Sequence, residues 1–255
     1  MAPAILERTV PVAAIEGEMN AALAPGSNGA GPLLQARIRL GHIRCRWFDW
    51  LHRVDTCGQI SVSQLGISDH RAFDVYGFSS SSISIVRGLL ARLPIRNDEW
   101  EFVDVGSGKG RTLLLAREYP FKRVVGVEHS PDLVEISRSN LQKYAGRIKC
   151  REATVMACDA LEYVPPEDEN VIFYMFNPFS ELLVIRCIES LAAVPLVPGK
   201  RRVLCFVQQR THLATPVDLC RSSKAVRPLA LRPMRFDWFS HPQLEASLFD
   251  VRASL

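Results

Sequence analysis

The sequence predicts an α/β protein: a mostly parallel sheet covered by helices on both faces, with antiparallel pairing at its C-terminal end and a helical extension at its N-terminus. Three observations carry this expectation. Between residues 101 and 208, short β-branched or aromatic runs alternate with helical stretches, the order that produces parallel strands joined by crossover helices. A glycine-rich loop, 106–110, stands where one such run passes into a helix. Near the end of the chain, two strand-like runs, 226–231 and 244–252, follow each other with only a loop containing Trp238, Phe239 and Pro242 between them, and such neighbours pair antiparallel.

Composition bounds what the fold can be asked to do. Apolar residues make up 47% and charged residues 23% of the 255, the balance of a folding globular domain. The formal charge of +4 is too small for a nucleic-acid footprint, and no apolar run approaches the ~18 residues of a membrane span. Glu7, Arg8, Glu16 and Glu18 interrupt any export signal, so a cytoplasmic protein is expected. The seven cysteines form no C-x-x-C pair and read as reduced residues packed as small hydrophobes. No His/Cys/Asp set has metal-ligand spacing, so no metal site is expected.

In chain order, residues 1–32 read as a mobile tail ending in the turn-rich linker 24–32. Residues 33–75 read as an N-terminal helical extension or cap, with one or two helices over 33–53 and a basic side. The catalytic domain is expected over 76–255. Within it the serine run 79–82 should cap a helix from Ile83 that Pro94 stops. Strands are predicted at 101–105, 123–128, 153–158, 171–176 and 201–208, and helices at 112–118, 131–144 and 180–193.

The most informative residues are Asp104-Val105-Gly106-Ser107-Gly108-Lys109-Gly110-Arg111. Glycines between a strand and a helix let the chain turn sharply and let a ligand approach the backbone, and the helix start offers unpaired NH groups. A P-loop fails here, because Gly110 follows Lys109 where a hydroxyl residue is required and Val103 stands in place of the first glycine. The dinucleotide fingerprint is weakened by Arg111 in place of its third glycine.

The D-x-G-x-G-x-G run from Asp104 to Gly110 resembles motif I of class I S-adenosylmethionine-dependent methyltransferases. That resemblance implies a Rossmann-like three-layer sandwich with a seven-stranded sheet and S-adenosyl-L-methionine as cofactor. It sets Asp104 near the cofactor's amino group and Gly106, Ser107, Gly108 and Gly110 against its methionine part. Glu128, ending the next strand, corresponds to the ribose-binding acid, with His129 beside it, and Asp159 with Ala160 to the adenine contact. Asn177-Pro178-Phe179 follows the fourth strand and resembles, less one proline, the [D/N/S]-P-P-[Y/F] signature of amino-group methyltransferases. Its three residues are the expected acceptor-side catalytic set, with Asn177 also bordering the cofactor. The layout of Phe48-Asp49, Val54-Asp55-Thr56, Tyr76, residues 102–111, Gly126-Val127-Glu128 and Asn177-Pro178-Phe179 looks like a group of bacterial class I methyltransferases of mostly unassigned substrate. It is more distantly similar to the cores of histone lysine methyltransferases that lack a SET domain.

The residues leave alternatives open. Asp159 can instead cap its turn, and Asn177-Pro178 can simply end a strand. Val54-Asp55-Thr56 and Tyr76 form either a lid over the cofactor or a packed N-terminal cap. The acceptor is an unidentified small molecule or protein. An NAD(P)-dependent oxidoreductase and a non-catalytic binding module, using the basic tryptophan-containing segment 37–53, remain as competing functions.

Overall fold

The computed structural model describes residues 32–60, 78–176, 180–209, 224–229 and 244–252. The tail 1–31, Tyr76, the Asn177-Pro178-Phe179 triplet, Cys220 and the loop with Trp238, Phe239 and Pro242 lie outside the described residues.

The segment expected to hold one or two helices is a single one, α1 (Pro32–His52), followed by β1 (Gln59–Ile60), which pairs antiparallel with β2 (Phe78–Ser79). Next come α2 (Ile83–Leu90), β3 (Trp100–Val105), α3 (Arg111–Ala116), β4 (Arg123–Glu128), α4 (Pro131–Lys143), β5 (Ala153–Ala157), β6 (Asn170–Phe176), α5 (Glu181–Ala193), β7 (Arg202–Gln209), β8 (Val226–Pro228) and β9 (Leu244–Val251). Seven of the strands form one sheet in the order β5-β4-β3-β6-β7-β9-β8. The first five are parallel, and β9 runs antiparallel to both β7 and β8. The last two strand-like runs therefore do pair antiparallel, and β9 also inserts beside β7.

Sheet position explains the strand sequences. Every residue of β3 is buried, because the strand has neighbours on both sides and layers on both faces, and its run is apolar apart from Glu101 and Asp104. At the edge, β5 buries only Val155 of its central residues and leaves Thr154 and Met156 exposed, so it alternates. Below one face of the sheet, Phe102, Val124, Ile172 and Cys205 pack with Ile85 and Leu89 of α2, Leu113 and Leu114 of α3 and Val134 of α4. On the other, Val103, Val125, Phe173 and Leu204 pack with Val184, Ile188 and Leu191 of α5. The result is the three-layer sandwich that the alternating pattern predicts.

Two details depart from expectation. Ser82 occupies the N-cap of α2, but its hydroxyl makes no capping bond, and only its carbonyl accepts from Val86 N. The helix also ends at Leu90, short of Pro94, where Ala91 N already turns back to Arg87 and Leu89 carbonyls. α1 docks through Phe48, which is buried against Tyr144 at a ring separation of 6.1 Å, a burial worth about 2 kcal/mol.

Arg202, at the start of β7, is fully buried, with its guanidinium donating to the carbonyls of Leu191 (3.0 Å), Val194 (2.6 Å), Pro195 (2.8 Å) and Pro166 (3.2 Å). The end of α5 leaves carbonyls that lack intrahelical partners, and a cation satisfies them while suiting the negative end of the helix dipole. Arg202→Met keeps the volume and strands those carbonyls. We expect about 2–4 kcal/mol of lost stability in urea unfolding; a loss under about 0.5 kcal/mol would show that the carbonyls find other partners.

Candidate functional site

The strand order reverses between β3 and β6: β4 and β5 extend from β3 on one side, β6 and β7 on the other. In open α/β sheets ligands bind outside the carboxyl ends of the strands at this switch point. The glycine loop stands there. Gly106, Gly108 and Gly110 have φ of 77°, 53° and 82°, the left-handed region that side chains with a Cβ disfavour. Gly106 N and Ser107 N both donate to Val127 O, at 2.9 and 3.0 Å, hanging the loop from the end of β4. Close approach adds a second constraint on Gly110 and fixes Gly126: a Cβ on Gly110 would run into Ser137 Oγ, and one on Gly126 would lie 2.6 Å from Leu113 Cδ1 and 2.7 Å from Ser107 Oγ.

Three of the predicted cofactor residues converge on this loop. Glu128 is half-buried, and its Oε2 accepts from Gly108 N at 2.8 Å while Oε1 accepts from Ser130 N at 2.9 Å. Burial raises its pKa, and backbone donors from Ser130, Gly108 and His129 work against the rise. Each carboxylate oxygen keeps acceptor capacity beyond one bond, so Glu128 can still receive hydroxyl donors from a ligand. Asp104 is buried at the end of β3, opposite Tyr174 in β6, and hydrogen-bonds Thr112. Burial first and the neighbouring Glu128 charge second push its pKa well up, and only the Thr112 bond opposes them. Ser107 is buried, and its hydroxyl, like those of Ser130 and Ser137, has no partner among the described residues. A polar ligand approaching over three glycines would fit such a surface.

The remaining predicted residues lie nearby in different states. His129 is exposed beside Glu128. Asp159, after β5, accepts from Leu161 N at 2.9 Å, the turn-capping role open to it, and Ala160 is buried behind it. Asn177, Pro178 and Phe179 fall between Phe176, the last residue of β6, and Ser180, whose hydroxyl accepts from Leu183 N at the start of α5.

Sequence reasoning set Val54-Asp55-Thr56 between lid and cap; the structure packs it directly on the glycine loop. Lys109 Nζ donates to Asp55 Oδ1 and Oδ2 (2.9 and 3.0 Å) and to Cys57 O (3.1 Å). Arg111 donates to Thr56 Oγ1 (2.8 Å), Ser80 Oγ (2.8 Å), Ser81 O (3.2 Å) and Cys57 Sγ (3.2 Å). Asp49 holds the turn by accepting from Thr56 N (2.7 Å), Thr56 Oγ1 (2.5 Å) and Cys57 N (2.7 Å). Asn140 of α4, which the sequence did not single out, bridges the two parts: its Nδ2 donates to Asp55 O (2.7 Å) and Lys109 O (2.8 Å), and its Oδ1 accepts from Asp55 N (2.8 Å).

The cysteines need one correction. Cys150, Cys187 and Cys205 are buried as expected, but Cys45 and Cys57 are half-buried in this polar cap rather than in an apolar core. A hydrogen bond from Cys57 and the Arg111 charge draw the Cys45 thiol down to about 6, against burial.

No protein-family model matches the chain. A curated relative, the trans-aconitate 2-methyltransferase of Afipia carboxidovorans, is 28% identical over 108 residues, 42% of this chain; the chain spans only 38% of that protein's length. Among solved structures, the geranyl diphosphate C-methyltransferase of Streptomyces coelicolor A3(2), in complex with Mg2+, geranyl diphosphate and S-adenosyl-L-homocysteine, aligns with a TM-score of 0.51 at 12% identity, covering 88% of this chain and 99% of that one. A SAM-dependent methyltransferase from Aquifex aeolicus aligns with a TM-score of 0.50 at 13% identity, covering 66% and 90%. The chain thus shares the Rossmann-like α/β fold of these two methyltransferases. No described helix is long and apolar enough to cross a membrane.

Two predictions follow from the electrostatics. Unfolded, Asp104 has a pKa of about 3.9; folded, it holds its proton to higher pH, so the folded state binds more protons above about pH 4 and loses stability as pH rises through that window. Asp104→Asn removes the effect, so the variant should melt above the parent at pH 7, with the gap closing toward pH 4; equal melting temperatures at pH 7 would contradict it. Iodoacetamide at pH 7, followed by peptide mass spectrometry, should modify Cys45 ahead of Cys150, Cys158, Cys187 and Cys205.

Proposed function

We propose that this chain is an S-adenosylmethionine-dependent methyltransferase that binds its cofactor on the Gly106–Gly110 loop and presents its acceptor at Asn177-Pro178-Phe179. The observation that carries the reading is the loop itself: three glycines at positive φ, tethered to Val127 and Glu128, at the switch point of the sheet. Bound there, the cofactor supplies a methyl group on a positively charged sulfur, a leaving group that is already activated.

The chain's own residues then bind and orient. Glu128 accepts the ribose hydroxyls through the lone pairs left by its two backbone donors. Asp104 receives the amino group; its raised pKa means that a cation must draw off its proton, so affinity should increase with pH as that proton is lost. Ser107, with its unpartnered hydroxyl, and Gly108 face the methionine part, and Asp159 with Ala160 borders the adenine, His129 flanking the ribose. Asn177 aligns an acceptor nitrogen with the methyl and Phe179 covers its plane; Phe176 and Ser180, fixed by β6 and α5, set the two ends of that triplet. The relative named for trans-aconitate favours including small molecules beside proteins when acceptors are screened.

Calorimetry tests the cofactor: S-adenosylmethionine and S-adenosylhomocysteine should bind in the micromolar range, and clear binding of NAD(H) without either would replace this reading with a dehydrogenase. Glu128→Ala should weaken S-adenosylhomocysteine by about tenfold to a hundredfold, the worth of a charged hydrogen bond. Gly108→Val should abolish binding, since a branched side chain is both disfavoured at φ 53° and in the ligand's path. With an acceptor in hand, Asn177→Ala should lower turnover by on the order of 10²-fold at nearly unchanged cofactor affinity. Full turnover in that variant would reduce the triplet to a strand-ending turn.

A further inference from the structure

Two cations flank Gly110, and both are turned away from the loop by residues outside the catalytic fold. Lys109 is 8% exposed and Arg111 4%, so neither is simply solvated. Inside the fold two acids stand close to the loop. Asp104 is the acid nearest in sequence, and its burial favours the neutral form. Glu128 holds the loop through Gly108 N and Ser130 N. Two carboxylates that meet these cations come from the end of α1 and the turn after it: Asp55 on Lys109 through both oxygens, and Asp49 at 3.9 Å from Arg111, also linked to it through Thr56 Oγ1. Asn140 then fixes the turn to the loop backbone by bonding Asp55 and Lys109 together.

Resting on the reading that the loop holds S-adenosylmethionine, we propose that Asp55 and Asp49 are specificity-determining positioning residues: by neutralising Lys109 and Arg111 they suit the glycine loop to a cationic sulfonium rather than to its neutral thioether product. The chemistry is a charge balance. S-adenosylmethionine carries one positive charge more than S-adenosylhomocysteine and otherwise differs by a methyl group. An unneutralised ammonium beside the loop repels the first more than the second, and next to a solvent-exposed partner that repulsion is partly screened by salt. A cap that served packing alone would affect the two ligands equally.

The test is the ratio of the two dissociation constants, measured by calorimetry at low salt for the full chain, Asp55→Asn, Lys109→Gln and the double variant. Asp55 has an exposed side chain, 63%, so its conversion to Asn is mild. Asp55→Asn should shift the ratio about four- to fifteenfold against S-adenosylmethionine, the Coulomb effect of a unit charge at about 10 Å in an effective dielectric of about 20–40. Lys109→Gln should shift it the other way, and the double variant should return it close to the parent value even where both absolute affinities have dropped. The shift should shrink in 0.5 M salt. If one variant does not fold, the other still gives a signed shift. Ratios within twofold across all four proteins overturn the proposal while leaving the cofactor reading intact; a parent that binds neither ligand overturns that reading and this inference with it.

Discussion

The shape of one five-residue loop constrains much of the molecule. Gly106, Gly108 and Gly110 hold left-handed backbone without strain because they lack a Cβ, and this lets the chain leave β3 and enter α3 within five residues. Other features around the loop accommodate that turn. Gly126 stays bare so that Ser107 and Leu113 can lie against β4, Val127 lends its carbonyl to two loop amides, and Glu128 takes a third. A carboxylate buried to hold a loop raises its own pKa, and Asp104 beside it is raised further by the same burial and by Glu128 itself. The site therefore carries unfavourable electrostatics in the absence of a ligand, a common cost of function.

The parts of this architecture encoded locally were legible in the sequence. β3, β4 and β6 announce themselves as β-branched and aromatic runs because both faces are covered, and the glycine loop does so because backbone conformation demands a residue type. Where several weak signals were combined, boundaries slipped: α3 ends at Ala116 rather than Glu118, since Arg117 and the following residues turn to meet Lys149 and Cys150 across the fold. Ser82 has the right residue type at the right place and still makes no cap bond. Long-range polar contacts gave no such signal. Asn140 meets Asp55 across 85 positions and Lys109 meets Asp55 across 54, distances at which no spacing rule operates. Arg202 reads as an ordinary strand-starting arginine until the end of α5 is brought over it.

The N-terminal cap also alters how the site should be regarded. Lys109 and Arg111 interrupt what would otherwise be a small, neutral loop, and their side chains point into the cap rather than toward the switch point. Thr56, fully buried, is the hinge of that arrangement, taking a bond from Arg111 and giving one to Asp49. Polar networks satisfied to this degree fix one geometry, because any alternative packing leaves buried donors unmatched.

The position of β9 bears on how the chain reaches this state. It comes after β8 in the sequence, yet lies between β7 and β8 in the sheet, so β8 has no partner until β9 has crossed over it. Until then β7 presents an open, apolar edge, Val203 to Val207, of the kind that adheres to other chains. Once β9 is seated, β7 is paired from Arg202 to Gln209, and β8, three residues long and ending in Pro228, pairs with Phe249–Val251 on the far side of β9. Synthesis from the N-terminus thus leaves this apolar edge uncovered until β9 emerges, an interval in which a chaperone would have a strand to hold.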